Sequence, residues 1–163
     1  MKFILVFVVF MSCSNGEPKK DISKKIVNVE AVLKEYMSAW AKHDKNQIES
    51  FYDDNVIWYD LPSDYTTKGK QEVGKAITDA FLTNVSGMYW VKQGDVFVSD
   101  NTITYEWIYG GIFTGKWGDT SIENKKFAIK GISTTSVNNK GKIYSQKDYY
   151  DLYGFQKQLG ILE

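Results

Sequence analysis

The chain changes its hydrophobic period once, near Asn84, and that change restricts the fold more than any other feature of the sequence. Before it, apolar residues recur three and four apart. Val29, Val32, Leu33, Tyr36 and Trp40 make one face of a helix beginning near Ile26. Asp44 stands as N-cap of a second, short helix, with Gln47 in the capping-box position and Ile48, Phe51 and Tyr52 facing inward. Asp53-Asp54-Asn55 is expected to end that helix. VIWYD (56–60) reads as a strand from its branched and aromatic content. LPSDYTTKG reads as a loop, and a third helix opens at Gly69, with Val73, Ile77, Ala80 and Phe81 as its buried stripe.

After Asn84 the pattern is that of strands. Residues 89–100 are extended, with Gly94 as a bulge, and Asp100-Asn101 turns the chain. TITYEWIYGGIF (102–113) alternates, placing Ile103, Tyr105, Trp107 and Tyr109 on one face. A Gly-rich turn is expected between Gly115 and Asp119, then a strand at 126–137, a hairpin turn at 138–141 and a last strand at 142–150. A closing helix spans 152–159 with Gly160 at its C-terminal end. Helices first and strands after predict an α+β domain: a curved antiparallel sheet around three N-terminal helices, plus a short C-terminal helix.

Composition narrows the function. The 20 basic residues balance 20 acidic ones, and every basic residue is lysine. Without arginine there is no bidentate clamp for phosphate or carboxylate, and no basic stripe points to nucleic acid. One histidine and one cysteine leave no metal cluster and no internal disulfide, and no Gly-rich phosphate loop is present. No cofactor is expected. Aromatics at 15% favour a core of rings or a pocket walled by them.

The N-terminus differs in kind. An apolar run from Phe3 to Met11 is too short to span a bilayer and suits a signal h-region. The sole cysteine, Cys13, follows it directly, which resembles a bacterial lipoprotein signal. The implied organisation is a signal peptide at 1–12, lipidated Cys13 with a linker at 13–22, and a domain at 23–163. The expected location is the bacterial cell envelope, with a membrane anchor at Cys13, or otherwise the periplasm or the medium.

Candidate functional residues gather where acids meet rings. On the last strand, Tyr144, Gln146, Asp148 and Tyr150 should share one face, and Ile143, Ser145, Lys147 and Tyr149 the other. Asp151 suits a helix N-cap, with Tyr150 and Phe155 at the staple positions. Asp148 among aromatic rings would be poorly hydrated, which raises its pKa and suits it to general-base work near neutrality. It could equally face solvent or accept a bond from a tyrosine. Tyr36, Trp40, Trp58, Asp60, Tyr105, Trp107, Tyr109 and Tyr150 are the candidate lining of a pocket for a small apolar or aromatic molecule. The same rings could instead fill the core or a dimer seam. His43 falls in the turn before Asp44 and reads as exposed.

Four segments in order carry a family resemblance: MSAWAKHDKNQIESFYDDNVIWYD (37–60), GKQEVGKAI (69–77), YEWIYGGIFTG (105–115) and GKIYSQKDYYDLYGFQKQLG (141–160). Over roughly residues 26 to 162 the chain resembles the nuclear transport factor 2-like superfamily, and more closely its SnoaL-like polyketide cyclase branch. The resemblance implies a cone-shaped domain that often pairs into a homodimer. It implies that Asp148, on the closing strand, handles protons, and that Trp58 and Asp60 lie where epoxide hydrolases of the superfamily hold a nucleophilic water. Those hydrolases also need an arginine between two aspartates. The matching stretch here is Tyr105-Glu106-Trp107, so that route is not expected. An isomerase type of chemistry would need a carboxylate base and a tyrosine donor, with Tyr36, Tyr105 and Tyr109 as candidates. The expected function is therefore acid–base chemistry of isomerase, cyclase or hydrolase type on a ring-containing or carbonyl ligand. The alternative is a ligand-binding or dimerisation module without catalysis.

Overall fold

The computed structural model describes residues 27–162. The segment read as signal peptide, Cys13 and most of the tether lie outside the described residues. Helix α1 (Val29–Ala41) is capped by Asn28, whose Oδ1 accepts from the Ala31 N–H at 3.0 Å. Its apolar stripe buries Leu33, Tyr36 and Trp40. Helix α2 (Lys45–Ser50) starts at Asp44, whose Oδ1 accepts from the Gln47 N–H at 3.0 Å. The reciprocal half of the capping box is not made, because the Asp44 N–H donates to the Ala39 carbonyl instead.

Helix α2 is shorter than its sequence suggested. Tyr52 opens strand β1 (Tyr52–Asp60), so Asp53-Asp54-Asn55 runs within a strand and does not end a helix. The reason is tertiary: Tyr52 pairs with Ile143 across the sheet, and its hydroxyl bonds to Tyr36 and Thr78, each at 3.2 Å. The loop expected after β1 contains a short edge strand, β2 (Tyr65–Lys68), paired antiparallel to β1. The third helical region divides into α3 (Lys70–Val73), a π-helical segment (Gly74–Asp79) and α4 (Ala80–Asn84).

Strands β3 (Val85–Ser99), β4 (Thr102–Trp117), β5 (Thr120–Val137) and β6 (Ile143–Tyr150) follow, then helix α5 (Leu152–Leu159). The strands outrun their sequence-based limits. Gly115 remains inside β4, paired with Ile122, and only Gly118-Asp119 turns the chain. The sheet order is β2-β1-β6-β5-β4-β3, with β1 and β6 parallel and the other neighbours antiparallel. A register shift between Gln93 and Val96, where Gly94 has φ of 56°, bends β3 as a bulge does. The curved sheet is open, and the helices cover its concave face. This is the α+β cone expected from the sequence.

One expected face of β6 is corrected. Tyr144 does not share a face with Gln146 and Asp148; it is exposed. Val137 pairs with Ile143 while Ser136 pairs with Ser145, so Tyr144 is the extra residue of a bulge. The bulge turns it out and lets both Ile143 and Gln146 point inward.

Helix α5 closes the wide end of the cone. Asp151 caps it, Oδ1 accepting from the Gly154 N–H at 2.9 Å, and Tyr150 packs edge-on to Phe155 with centroids 6.2 Å apart. Phe155 also meets Phe127 and Trp117. Replacing Asp151 with alanine should lower stability by about 1 kcal/mol through the lost cap. Urea unfolding that shows no loss would mean the helix is held by its aromatic contacts alone.

Candidate active site

Inner-facing residues of β1, β4, β5 and β6 enclose a cavity of about 250 Å³ beneath the helices. All five tryptophans of the chain line it: Trp40 from α1, Trp58 from β1, Trp90 from β3, and Trp107 and Trp117 from β4. Phe81, Tyr109, Tyr150 and Phe155 add further rings, and Ala76, Ile77, Met88 and Ile129 complete the apolar wall. The polar floor is two carboxylates, Asp60 and Asp148.

The two acids are neighbours by register. Asp60 pairs with Asp148 across the parallel β1–β6 ladder, so both side chains leave the sheet on the same face. The Leu61 N–H donates to the Asp148 carbonyl at 3.1 Å and continues the pairing past the strand end. Asp60 is thus a strand-end residue that also anchors the next loop: Ser63 Oγ donates to its Oδ2 at 2.8 Å. The Tyr150 hydroxyl donates to the same oxygen at 3.1 Å.

Asp148 is held by a chain of hydrogen bonds whose direction can be worked out. An indole N–H only donates. Trp107 Nε1 donates to Ser133 Oγ at 2.7 Å, so the Ser133 hydroxyl is free to donate onward to Asp148 Oδ1, 2.6 Å away. Gln146 Nε2 donates to the same Oδ1 at 2.8 Å. Gln146 is oriented in turn by Thr135, whose hydroxyl donates to Gln146 Oε1. Thr135 then has no proton left for Tyr105, so the Tyr105 hydroxyl donates to it at 3.2 Å. Both donors converge on Oδ1. Oδ2 takes neither of these bonds; the one further donor among the described residues that acts on the carboxylate is the Trp58 indole.

Gly131 makes this chain possible. It faces Trp107 across the β4–β5 ladder, and a Cβ there would lie 2.3 Å from Trp107 Cζ2. Only a bare backbone lets the indole lie against β5 and reach Ser133.

Burial pushes the Asp148 pKa up to about 6, from an ordinary value near 3.8. The bonds from Ser133 and Gln146 oppose the rise, the Asp60 charge adds to it, and the Trp58 indole opposes it slightly. Burial likewise raises the hydroxyl pKa of Tyr109, and that of Tyr150, where the Asp60 charge adds to the effect.

Three buried side-chain polar atoms lack a hydrogen-bond partner among the described residues: Trp40 Nε1, Asp60 Oδ1 and the Tyr109 hydroxyl. All three belong to residues lining this cavity. Buried polar groups are otherwise almost always paired. Each lies buried within the cavity wall, and the Trp40 indole is directed toward the Tyr36 hydroxyl.

The sequence-derived candidates divide accordingly. Asp148, Trp40, Trp58, Asp60, Trp107, Tyr109 and Tyr150 are brought together on the cavity. Tyr36 and Tyr105 are not on its wall. They are fully buried behind Trp90, and both hydroxyls are engaged, Tyr36 with Tyr52 and Tyr105 with Thr135. His43 is exposed, with its ring nitrogen 3.3 Å from the Met88 carbonyl and outside the cavity. Sequence reasoning missed Ser133, Thr135 and Gly131. The signal was a row of small and polar residues on alternate positions of a strand whose other inward positions are Phe127, Ile129 and Val137. Among the described residues no group of three or more His, Cys, Asp or Glu could hold a metal ion, and no helix is long and apolar enough to cross a membrane.

Comparison with known proteins agrees with this architecture. The family model for SnoaL-like polyketide cyclase matches residues 30–159. No curated protein matches the sequence. Among solved structures, a candidate SnoaL-like polyketide cyclase from Shewanella denitrificans is 18% identical with a TM-score of 0.72, covering 82% of this chain and 98% of that one. A protein of ketosteroid isomerase-like fold from Catenulispora acidiphila, solved with trimethylamine, is 21% identical with a TM-score of 0.62, covering 79% and 92%. AclR, a candidate hydroxylase from Streptomyces galilaeus, is 12% identical with a TM-score of 0.70, covering 85% and 99%. At these identities the structures speak to the fold. With its helices, open curved sheet and family match running from α1 into α5, the chain belongs to the SnoaL-like polyketide cyclase family, on the nuclear transport factor 2-like fold.

Proposed function

We propose that the cavity is the active site of a cofactor-independent proton-transfer enzyme of isomerase or cyclase type, acting on a small ring-containing carbonyl compound. The observation that carries this is Asp148: a carboxylate with one oxygen pinned by two donors, the other turned to an apolar chamber, and a pKa near 6. Such a group is ionised at neutral pH yet far more basic than an exposed aspartate. Asp148 Oδ2 would remove the proton from the carbon between the carbonyl and the double bond, giving a dienolate, and return it to the far (γ) carbon, so that the double bond moves into conjugation. The enolate oxygen formed meanwhile needs a donor. Of the tyrosines weighed from sequence, Tyr109 alone both lines the cavity and has a hydroxyl without a partner among the described residues.

A second reading rests on the opposite face of the sheet. Tyr89, Val91, Ile112 and Ile132 are all exposed there. That apolar patch would suit self-association, and a dimerisation module without catalysis would need no more. If the lipoprotein reading of Cys13 also holds, the domain works tethered at the envelope surface. Sedimentation of residues 23–163 as a monomer at micromolar concentration would remove the dimer reading.

The probe for catalysis is cyclohex-3-enone, whose isomerisation to the conjugated enone is followed by ultraviolet absorbance. Asp148→Asn should reduce turnover at least a hundredfold, in the range usual for loss of a general base. Unchanged turnover would end the proposal. In Ser133→Ala one donor to the carboxylate is gone, so the Asp148 pKa should rise. The acid limb of the pH–rate profile should then move upward from about pH 6. A limb that stays in place would show that a different group titrates.

Stability should change in the opposite sense to activity. The folded Asp148 binds its proton more tightly than the unfolded chain does, so native stability falls as pH rises from about 4 to about 6 and the cost persists above that. Two units correspond to about 3 kcal/mol. Asp148→Asn carries no such cost, and its amide can donate to the unpaired Asp60 Oδ1. It should be more stable than the native protein by about 1–3 kcal/mol at pH 8, with the difference vanishing near pH 4. Denaturant midpoints at the two pH values check this.

A further inference from the structure

The lining of the cavity carries a charge preference that the catalytic reading does not use. Fifteen residues line it; two are aspartates and none is lysine, arginine or histidine. The aspartates sit side by side at one register position of the parallel ladder. Each repels the other's charge, and no cationic side chain on the cavity relieves them. Asp60 Oδ1 is also a buried acceptor without a donor. Around these acids stand the five tryptophans, and an indole has the ring face that most strongly attracts a cation.

We propose that the molecule held here is an organic cation, a protonated alkylamine held by the charge of the Asp60 carboxylate with its alkyl arms among the tryptophan rings. This deepens the active-site reading and rests on it: the amine would be a substituent of the reacting compound, bound at Asp60, while Asp148 Oδ2 stays free for the proton. It sharpens the expectation of a plain apolar or aromatic ligand drawn from the sequence. A cation beside Asp60 also relieves the repulsion between the acids, so Asp148 remains ionised when the site is filled.

Because every tryptophan lines one site, intrinsic fluorescence gives a label-free readout of cavity occupancy. The probes are N,N-dimethylcyclohexylamine, cationic at pH 7.5, and 1-cyclohexylethanol, neutral and of similar size. The amine should saturate the fluorescence change at a concentration at least tenfold below the alcohol, a difference of about 1.4 kcal/mol. In Asp60→Asn, with folding checked by circular dichroism, the preference should fall below threefold. The comparison on the native protein needs no variant, so a misfolded Asp60→Asn does not spoil the test. An alcohol that binds as tightly as the amine overturns the charge assignment and leaves the active-site reading standing. No saturable change with either probe overturns the charge assignment too, and enone turnover lost in Asp148→Asn would still support proton transfer on a neutral ligand.

Discussion

The parallel pairing of β1 with β6 sets where everything else must go. It joins the first long strand of the domain to the last, and the other strands are added on either side. Its register is not free to drift. A slip of β6 by one residue against β1 would turn Lys147 toward the cavity and send Gln146 and Asp148 out to solvent. A buried Trp58 and a fully buried Gln146 at the same register position hold the pairing where it is. The cost of that register is two carboxylates placed side by side at its end. The hydrophobic core therefore enforces an electrostatic arrangement that the fold alone would not favour.

Relief comes unequally. Asp148 Oδ1 receives Ser133 and Gln146, and these are themselves fixed by Trp107 and by Thr135 and Tyr105. Asp60 Oδ2 receives Ser63 and Tyr150, while its Oδ1 receives nothing. One acid is thus positioned by a chain reaching back across β6, β5 and β4, with one oxygen left open. The other is tied to a loop by one oxygen and left with its second oxygen buried and unsatisfied. Two chemically identical residues acquire different tasks through their neighbours. The inner row of β5 does most of this work: Gly131 makes room for an indole, Ser133 passes its hydrogen bond on, and Thr135 sets the amide of Gln146.

How much of this was legible in the sequence follows from the range of each interaction. Local signals were clear: the α1 stripe, the Asp44 and Asp151 caps, the Gly94 bulge and the β4 alternation. Period two also put Gln146, Asp148 and Tyr150 on one face, without saying whether that face looks inward. Depth was not legible. Tyr36 and Trp40 lie four apart on one helix face, and Tyr105 and Trp107 two apart on one strand face. Yet within each pair one residue is sealed in the core and the other reaches the cavity. Periodicity assigns a side, whereas the curvature of the sheet decides how far along that side the hollow begins. The bulge at Tyr144, the edge strand β2 and the π-helical segment were invisible for a related reason. The bulge and the edge strand are set by which residues pair across the sheet, Val137 with Ile143 and Asp60 with Tyr65, and not by the local apolar period. Small residues on a buried strand face, here Gly131, Ser133 and Thr135, were the one readable sign of a polar network and were passed over as ordinary strand filler.

Net charge misleads for such a site. Twenty lysines cancel twenty acids over the whole chain, and composition alone suggested no field of either sign. Yet long-range balance says little about a chamber walled by rings, where water is scarce and each charge acts over a low-dielectric path. Inside, two acids face nine aromatic side chains and no base. Lysine stems are flexible and their ammonium groups strongly hydrated, and no lysine of the described residues lines the cavity. Histidine and arginine, which could have neutralised the acids from within, are missing from the wall. What remains is a negative interior in a neutral molecule, and the counter-charge it lacks is one that a ligand can bring.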